Sequence, residues 1–137
     1  ILTFARWCEP CLYHLPSFLS IKKYYDVDLY VLLVDKEGSN MVELAKQYIT
    51  EDFPETKILV IEDNEKFGSK KKYKNFLKEI TPKQFEIIND MSKYIVLNKN
   101  GEVELVTSYK DNAKDADWKD DRPMVRKLVL PLLEKKK

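Results

Sequence analysis

Two residues separate Cys8 from Cys11, and no other cysteine occurs in the chain. So close a pair fixes what its flanks have to be. Ile1 to Ala5, ahead of it, is apolar and reads as a buried central strand. Behind it, apolar residues recur at helical spacing from Leu12 to Tyr25, so a helix is expected over Cys8–Tyr25. The pair thus falls where a strand hands over to a helix. The first turn of a helix has free backbone N–H groups and the positive end of the macrodipole, which favour a thiolate over a thiol. Cys8, at the exposed lip, is the expected nucleophile. Cys11, one turn further in, is placed to attack a mixed disulfide formed at Cys8. Pro10 stiffens the loop and lacks only an N–H that a first turn leaves unpaired.

Three uses of such a pair are chemically open. A structural zinc site takes four ligands, and the chain offers Cys8, Cys11 and a single histidine, His14, as nitrogen or sulfur donors. A purely structural disulfide would close a very small ring and remove little unfolded-state entropy. Thiol–disulfide exchange needs only the pair itself and is the best supported of the three.

Trp7-Cys8-Glu9-Pro10-Cys11, followed by Pro16 five residues after the second cysteine, resembles the active site of the thioredoxin-like superfamily. Glu9 as the first intervening residue is more similar to the TlpA/ResA-type branch of extracytoplasmic oxidoreductases than to thioredoxin, which has Gly there. The resemblance implies an α/β, three-layer fold: a central mixed sheet, a C-terminal antiparallel hairpin, and helices on both faces. It implies an enzyme in which Cys8 and Cys11 exchange disulfides, with Trp7, Glu9 and Pro10 setting the loop. The redox-active disulfide would be the only prosthetic group, with no metal or organic cofactor. Partners would be protein thiol or disulfide substrates and an upstream redox protein. An extracytoplasmic location would follow, periplasmic or membrane-anchored, with the cytoplasm still open. A different class of function is an interaction module on the same scaffold, with Cys8–Cys11 kept as a fixed disulfide.

Two positions depart from the family pattern. The family has a cis-proline at the start of the first hairpin strand, and counting back nine residues from Gly101 lands on Ser92. Pro82 is the other candidate, but its surroundings read as a helix start. A cis bond before a non-proline residue costs about 3 kcal/mol, so a trans bond is expected before Ser92. Thioredoxin also has an acid six residues before its first cysteine, where this chain has Leu2. His14, three residues after Cys11 and on the same helix face, is a candidate proton acceptor in its stead. The alternative is a partly exposed helix histidine packed on Tyr13 or Phe18.

The rest of the chain alternates as an α/β layer should. Val27 to Val34 reads as a parallel strand covered on both faces. Ser39 or Asn40 then caps a helix carrying Met41, Leu44, Ala45 and Tyr48, and Lys57 to Ile61 is a third strand. A helical insertion is expected over about 66–91. Its first helix carries Tyr73, Phe76, Leu77 and Ile80, with Lys70, Lys71, Lys72 and Lys74 on its solvent side. Its second starts with a capping box at Thr81-Pro82-Lys83-Gln84 and carries Phe85, Ile88 and Met91. Lys93 to Leu97 and Glu102 to Tyr109 flank an Asn100-Gly101 turn and predict a hairpin. Lys110 to Asp121 reads as a polar loop docked by Trp118. A last helix starts near Arg122 or Pro123, carries Met124, Val125, Leu128 and Leu132, and is bent or shortened by Pro131.

With 137 residues, 44% of them hydrophobic, one domain over 1–137 with its own core is expected. A formal net charge of +1 gives no global attraction to nucleic acid. No stretch approaches the roughly 18 apolar residues that span a bilayer. The chain opens on an apolar strand without an initiating Met, so an N-terminal segment carrying any export signal or membrane anchor is expected to be missing.

Overall fold

The structure, a computed structural model, describes residues 1–35, 39–61 and 69–134, without the side chains of 69–71. Residues 36–38, the first residues of the expected insertion, the Lys70 and Lys71 side chains and the residues past Glu134 lie outside the described residues. The architecture is mixed α/β. Strands β1 (Leu2–Phe4), β2 (Tyr30–Leu33) and β3 (Lys57–Val60) form a parallel sheet in that order, with Leu2 opposite Val31 and Val31 opposite Ile58. Strands β4 (Ile95–Leu97) and β5 (Val103–Val106) pair antiparallel. The hairpin lies alongside β1: Thr3 N–H donates to the Lys93 carbonyl at 3.0 Å, Ile95 N–H to that of Ile1 at 2.8 Å, and Leu2 bridges Tyr94 antiparallel.

Every strand is shorter than the apolar run that predicts it, because the runs extend into the connecting turns. The first helix, α1 (Glu9–Ser20), stops before Tyr25 and tightens into a 3₁₀ turn at Ile21–Lys23. It buries Cys11, Leu15 and Phe18, and Phe18 packs edge-on against Tyr94 with ring centroids 5.6 Å apart. In α2 (Asn40–Asp52), Ser39 caps as expected by accepting the Val42 N–H at 3.4 Å. The buried stripe there is Val42, Ala45 and Ile49, whereas Leu44 and Tyr48 of the expected face are exposed. Tyr48 still contributes, stacking on Phe4 at 6.4 Å.

The insertion differs most from expectation. Helix α3 (Ser69–Ile80) forms and buries Tyr73 and Leu77. Lys72 is buried rather than solvated, its ammonium donating to the Asp35 carbonyl at 2.9 Å. The second helix, from Thr81 to Met91, does not form. Thr81 N–H donates to the Leu77 carbonyl and so closes the last turn of α3. Its hydroxyl is buried without a partner among the described residues, and a turn closed by Phe85 N–H on the Pro82 carbonyl opens an irregular segment instead. The Met91–Ser92 peptide is cis, not trans. Only the local isomer cost is visible in sequence, whereas Ser92 and Lys93 both bond to distant elements.

The hairpin loop turns at Gly101, whose φ of +80° is open to glycine and costly to other residues. Tyr109 leaves the expected strand for a 3₁₀ turn, Tyr109–Asp111, closed by a Ser108–Asp111 capping box. The last helix is continuous but not uniform. It runs through α4 (Arg122–Met124), a π-helical stretch Val125–Val129, and α5 (Leu130–Glu134). Pro131 lacks an N–H and its ring would meet the Lys127 carbonyl, so the preceding turn widens, with Leu130 N–H reaching Val125. That extra residue per turn moves the buried set from Leu128 and Leu132 to Val129 and Leu133.

Candidate functional site

Cys8 occupies the N-cap of α1, with extended backbone at φ −88° and ψ 103°. Its N–H donates to the Ala5 carbonyl at 3.0 Å, which turns the chain out of β1. Its sulfur takes the cap role that an oxygen usually fills, accepting the Cys11 N–H at 3.3 Å. Glu9 and Pro10 occupy the first two helical positions, where a proline's missing N–H leaves no bond unmade. The two cysteines are joined as a disulfide with a Cα–Cα distance of 5.3 Å. Cys11 is fully buried, its sulfur 3.7 Å from the Thr3 carbonyl, to which a reduced thiol would donate. Cys8 is also enclosed, at 5% exposure, rather than standing at an open lip as the sequence predicts.

Cys8 nevertheless lines a groove of about 560 Å³ whose walls include Trp7, Glu9, Asp35, Tyr73 and Met91. Trp7 is 62% exposed, and its indole N–H donates to Asp35 Oδ1 at 2.8 Å, which fixes the ring at the groove mouth. Asp35 is itself buried, and its Oδ2 has no hydrogen-bond partner among the described residues. Asn89, Asp90 and Met91 also line the groove. Tyr73 O–H donates to the Asp90 carbonyl at 2.6 Å and lies 3.5 Å from Thr3 Oγ1. Burial pushes the Tyr73 phenol well above its ordinary pKa, so it stays a donor.

Of the residues singled out by sequence, Trp7, Cys8, Glu9 and Pro10 meet at this groove and Cys11 lies beneath it. His14 and Ser92 pair with each other instead: His14 Nδ1 is 2.6 Å from Ser92 Oγ. His14 Nε2 lies 2.8 Å from the Trp118 carbonyl, which can only accept. A neutral ring therefore carries its proton on Nε2, and its one lone pair, on Nδ1, takes the Ser92 hydroxyl. His14 thus ties α1 to the segment before β4 and to the 110–121 loop, where Trp118 packs edge-on against Tyr13 at 5.6 Å.

Sequence reading passed over Thr3, Asp35, Tyr73, Asp90 and Lys93. Asp35 had a usable signal, since it follows a buried parallel strand at its carboxyl end, where α/β sheets bind ligands. The others are assigned by tertiary bonds alone. Among the described residues, no group of three or more His, Cys, Asp or Glu side chains could hold a metal ion, and no helix is long and apolar enough to cross a membrane. Compared with known proteins, the chain matches no family model, no curated protein and no solved structure.

Proposed function

We propose that the chain is a thiol–disulfide oxidoreductase of the thioredoxin-like kind, working on protein thiols and disulfides through Cys8 and Cys11. The observation that carries this reading is Cys8 as the sulfur N-cap of α1 on the wall of a groove, with Cys11 bonded behind it. A helix N-terminus stabilises a thiolate through the N–H it points at the sulfur and through its dipole. The strand sequence β3-β2-β1 followed by an antiparallel hairpin beside β1 supports the fold side of the proposal.

In the reducing direction, the Cys8 thiolate attacks one sulfur of a substrate disulfide. The substrate S–S bond breaks, one substrate thiolate leaves and takes a proton, and a Cys8–substrate disulfide forms. Cys11 then gives up its proton and attacks the Cys8 sulfur. The second substrate thiolate leaves, and two electrons have passed from the cysteine pair to the substrate. The oxidising direction is the reverse of each step. The pair carries the electrons itself, so the chemistry calls for no further group.

Alkylation counting tests the proposal. The chain is reduced, freed of reductant, mixed with a protein disulfide, and its free thiols are labelled and counted by mass. Loss of both labels, restored by a second reduction, is the expected result. A pair that keeps both labels in the presence of substrate would favour a binding module with a fixed disulfide.

A further inference from the structure

Lys93 is 1% exposed, and its ammonium donates to the Asp90 carboxylate and, at 3.0 Å, to the Thr107 carbonyl. Taking the Lys93 ammonium out of water is costly, and an apolar side chain of similar volume is often as stable or more so. The place of this pair in the fold points to what it contributes. Asp90 lines the same groove as Cys8. Its Oδ2 accepts the Tyr109 N–H at 2.8 Å, and its carbonyl accepts the Tyr73 hydroxyl at 2.6 Å. Lys93 is bonded through its backbone to Thr3, donating to Oγ1 at 2.8 Å and accepting the Thr3 N–H at 3.0 Å. The Thr3 carbonyl in turn lies against the Cys11 sulfur.

We propose that Asp90 and Lys93 are positioning residues that hold the 89–91 wall of the groove at a fixed distance from the sulfur pair, so that a peptide segment carrying a disulfide is gripped against Cys8. The proposal rests on the thiol–disulfide reading above. The wall belongs to the irregular segment between α3 and β4, so no helix or sheet ladder sets its position. Loops without such ladders take several conformations unless tertiary bonds choose one. Here the choice is made at Asp90 and Lys93: Tyr73 of α3 donates to the Asp90 backbone carbonyl, the Tyr109 N–H and the Lys93 ammonium donate to its carboxylate, and Lys93 also holds the Thr107 carbonyl and, through its backbone, Thr3 of β1. A substrate held across the groove senses an error in wall position, and a misplacement of 1 Å can cost up to about a hundredfold. A disulfide too small to span the groove does not sense it.

Lys93→Met tests this. It keeps the unbranched stem and removes the charge, and the Asp90 side chain, 20% exposed, keeps the Tyr109 N–H and gains water. Turnover is measured with a dithiol as terminal reductant, its direct rate subtracted, on a disulfide-bonded peptide and, separately, on a small symmetrical aromatic disulfide. The expected result is a KM for the peptide about tenfold higher. Its kcat should stay within about twofold and the rate with the small disulfide should not change. Should Lys93→Met fail to fold, Tyr109→Pro removes the N–H on Asp90 Oδ2 along with a phenol ring that is exposed. It stands at the first position of a 3₁₀ turn after an extended Ser108, where a proline fits, and it should raise the peptide KM in the same direction by less. An unchanged peptide KM, or equal losses on both disulfides, overturns the proposal. No turnover of either disulfide by the wild-type chain would instead remove the thiol–disulfide reading, and this inference with it.

Discussion

A sulfur at a helix N-cap does two jobs at residue scale. Cys8 accepts the Cys11 N–H at 3.3 Å, so the group that would be activated for attack is also the group that starts α1. In the reduced protein, Cys8→Ser keeps an acceptor at that position and Cys8→Ala does not. Cys8→Ala should therefore be less stable than Cys8→Ser by about 1 kcal/mol in denaturant titrations under reductant. Equal stability would mean the sulfur contributes nothing as a cap. The pair, its strand-to-helix setting and the places of Glu9 and Pro10 were legible in the sequence because they are consequences of local backbone chemistry. The partners of His14 and Ser92 were not. A side chain one turn from Cys11 has several directions open to it, and what selects one is the Trp118 carbonyl, 104 residues away. Asp35 had a local signal in its place after a buried parallel strand, but its bond to the Trp7 indole and its buried oxygen come only with packing.

At the scale of elements, periodicity located α1, α2, α3 and the hairpin but misjudged faces and ends. The second helix of the insertion failed although Thr81, Pro82 and Gln84 have the right chemistry, and the Thr81 hydroxyl that would have capped it is buried without a partner among the described residues. The C-terminal helix kept its place and changed its face through the π turn ahead of Pro131. The hairpin turn is the element whose local reading transfers most directly, and it yields a clean prediction. A Cβ built on Gly101 meets nothing within 4 Å, so Gly101→Ala suffers only from the positive φ. The expected loss is about 1 kcal/mol. Gly101→Asn should lose less, since asparagine tolerates this conformation better. Denaturant midpoints of the two variants check it, and a Gly101→Ala variant as stable as wild type would contradict the turn geometry.

The whole molecule is held together across elements by buried hydroxyls as well as by apolar contacts. Tyr94, beside Phe18 of α1, donates to Asp121 Oδ2 at 2.6 Å, which ties the hairpin to the start of the last helix. Desolvation first, and then the Asp121 carboxylate, pushes the Tyr94 phenol far above 10, and burial does the same for Tyr73. Both favour the protonated phenol in the folded state, so their contribution is complete below about pH 10, the unfolded value, and is lost as pH rises above it. Of eight tyrosines, these two should stay un-ionised until the chain unfolds. An alkaline titration should therefore show a late rise in tyrosinate absorbance that coincides with loss of near-ultraviolet circular dichroism. Full ionisation with the fold intact would contradict that picture. The same packing sets the two cysteines apart, Cys8 on the groove and Cys11 sealed behind it, and the most direct measurement uses that difference. Cys8→Ser and Cys11→Ser are each reduced, incubated with a protein disulfide, quenched in acid and weighed. Cys11→Ser should accumulate the mixed disulfide through Cys8 while Cys8→Ser does not. Equal trapping by both variants, or by neither, would contradict the account.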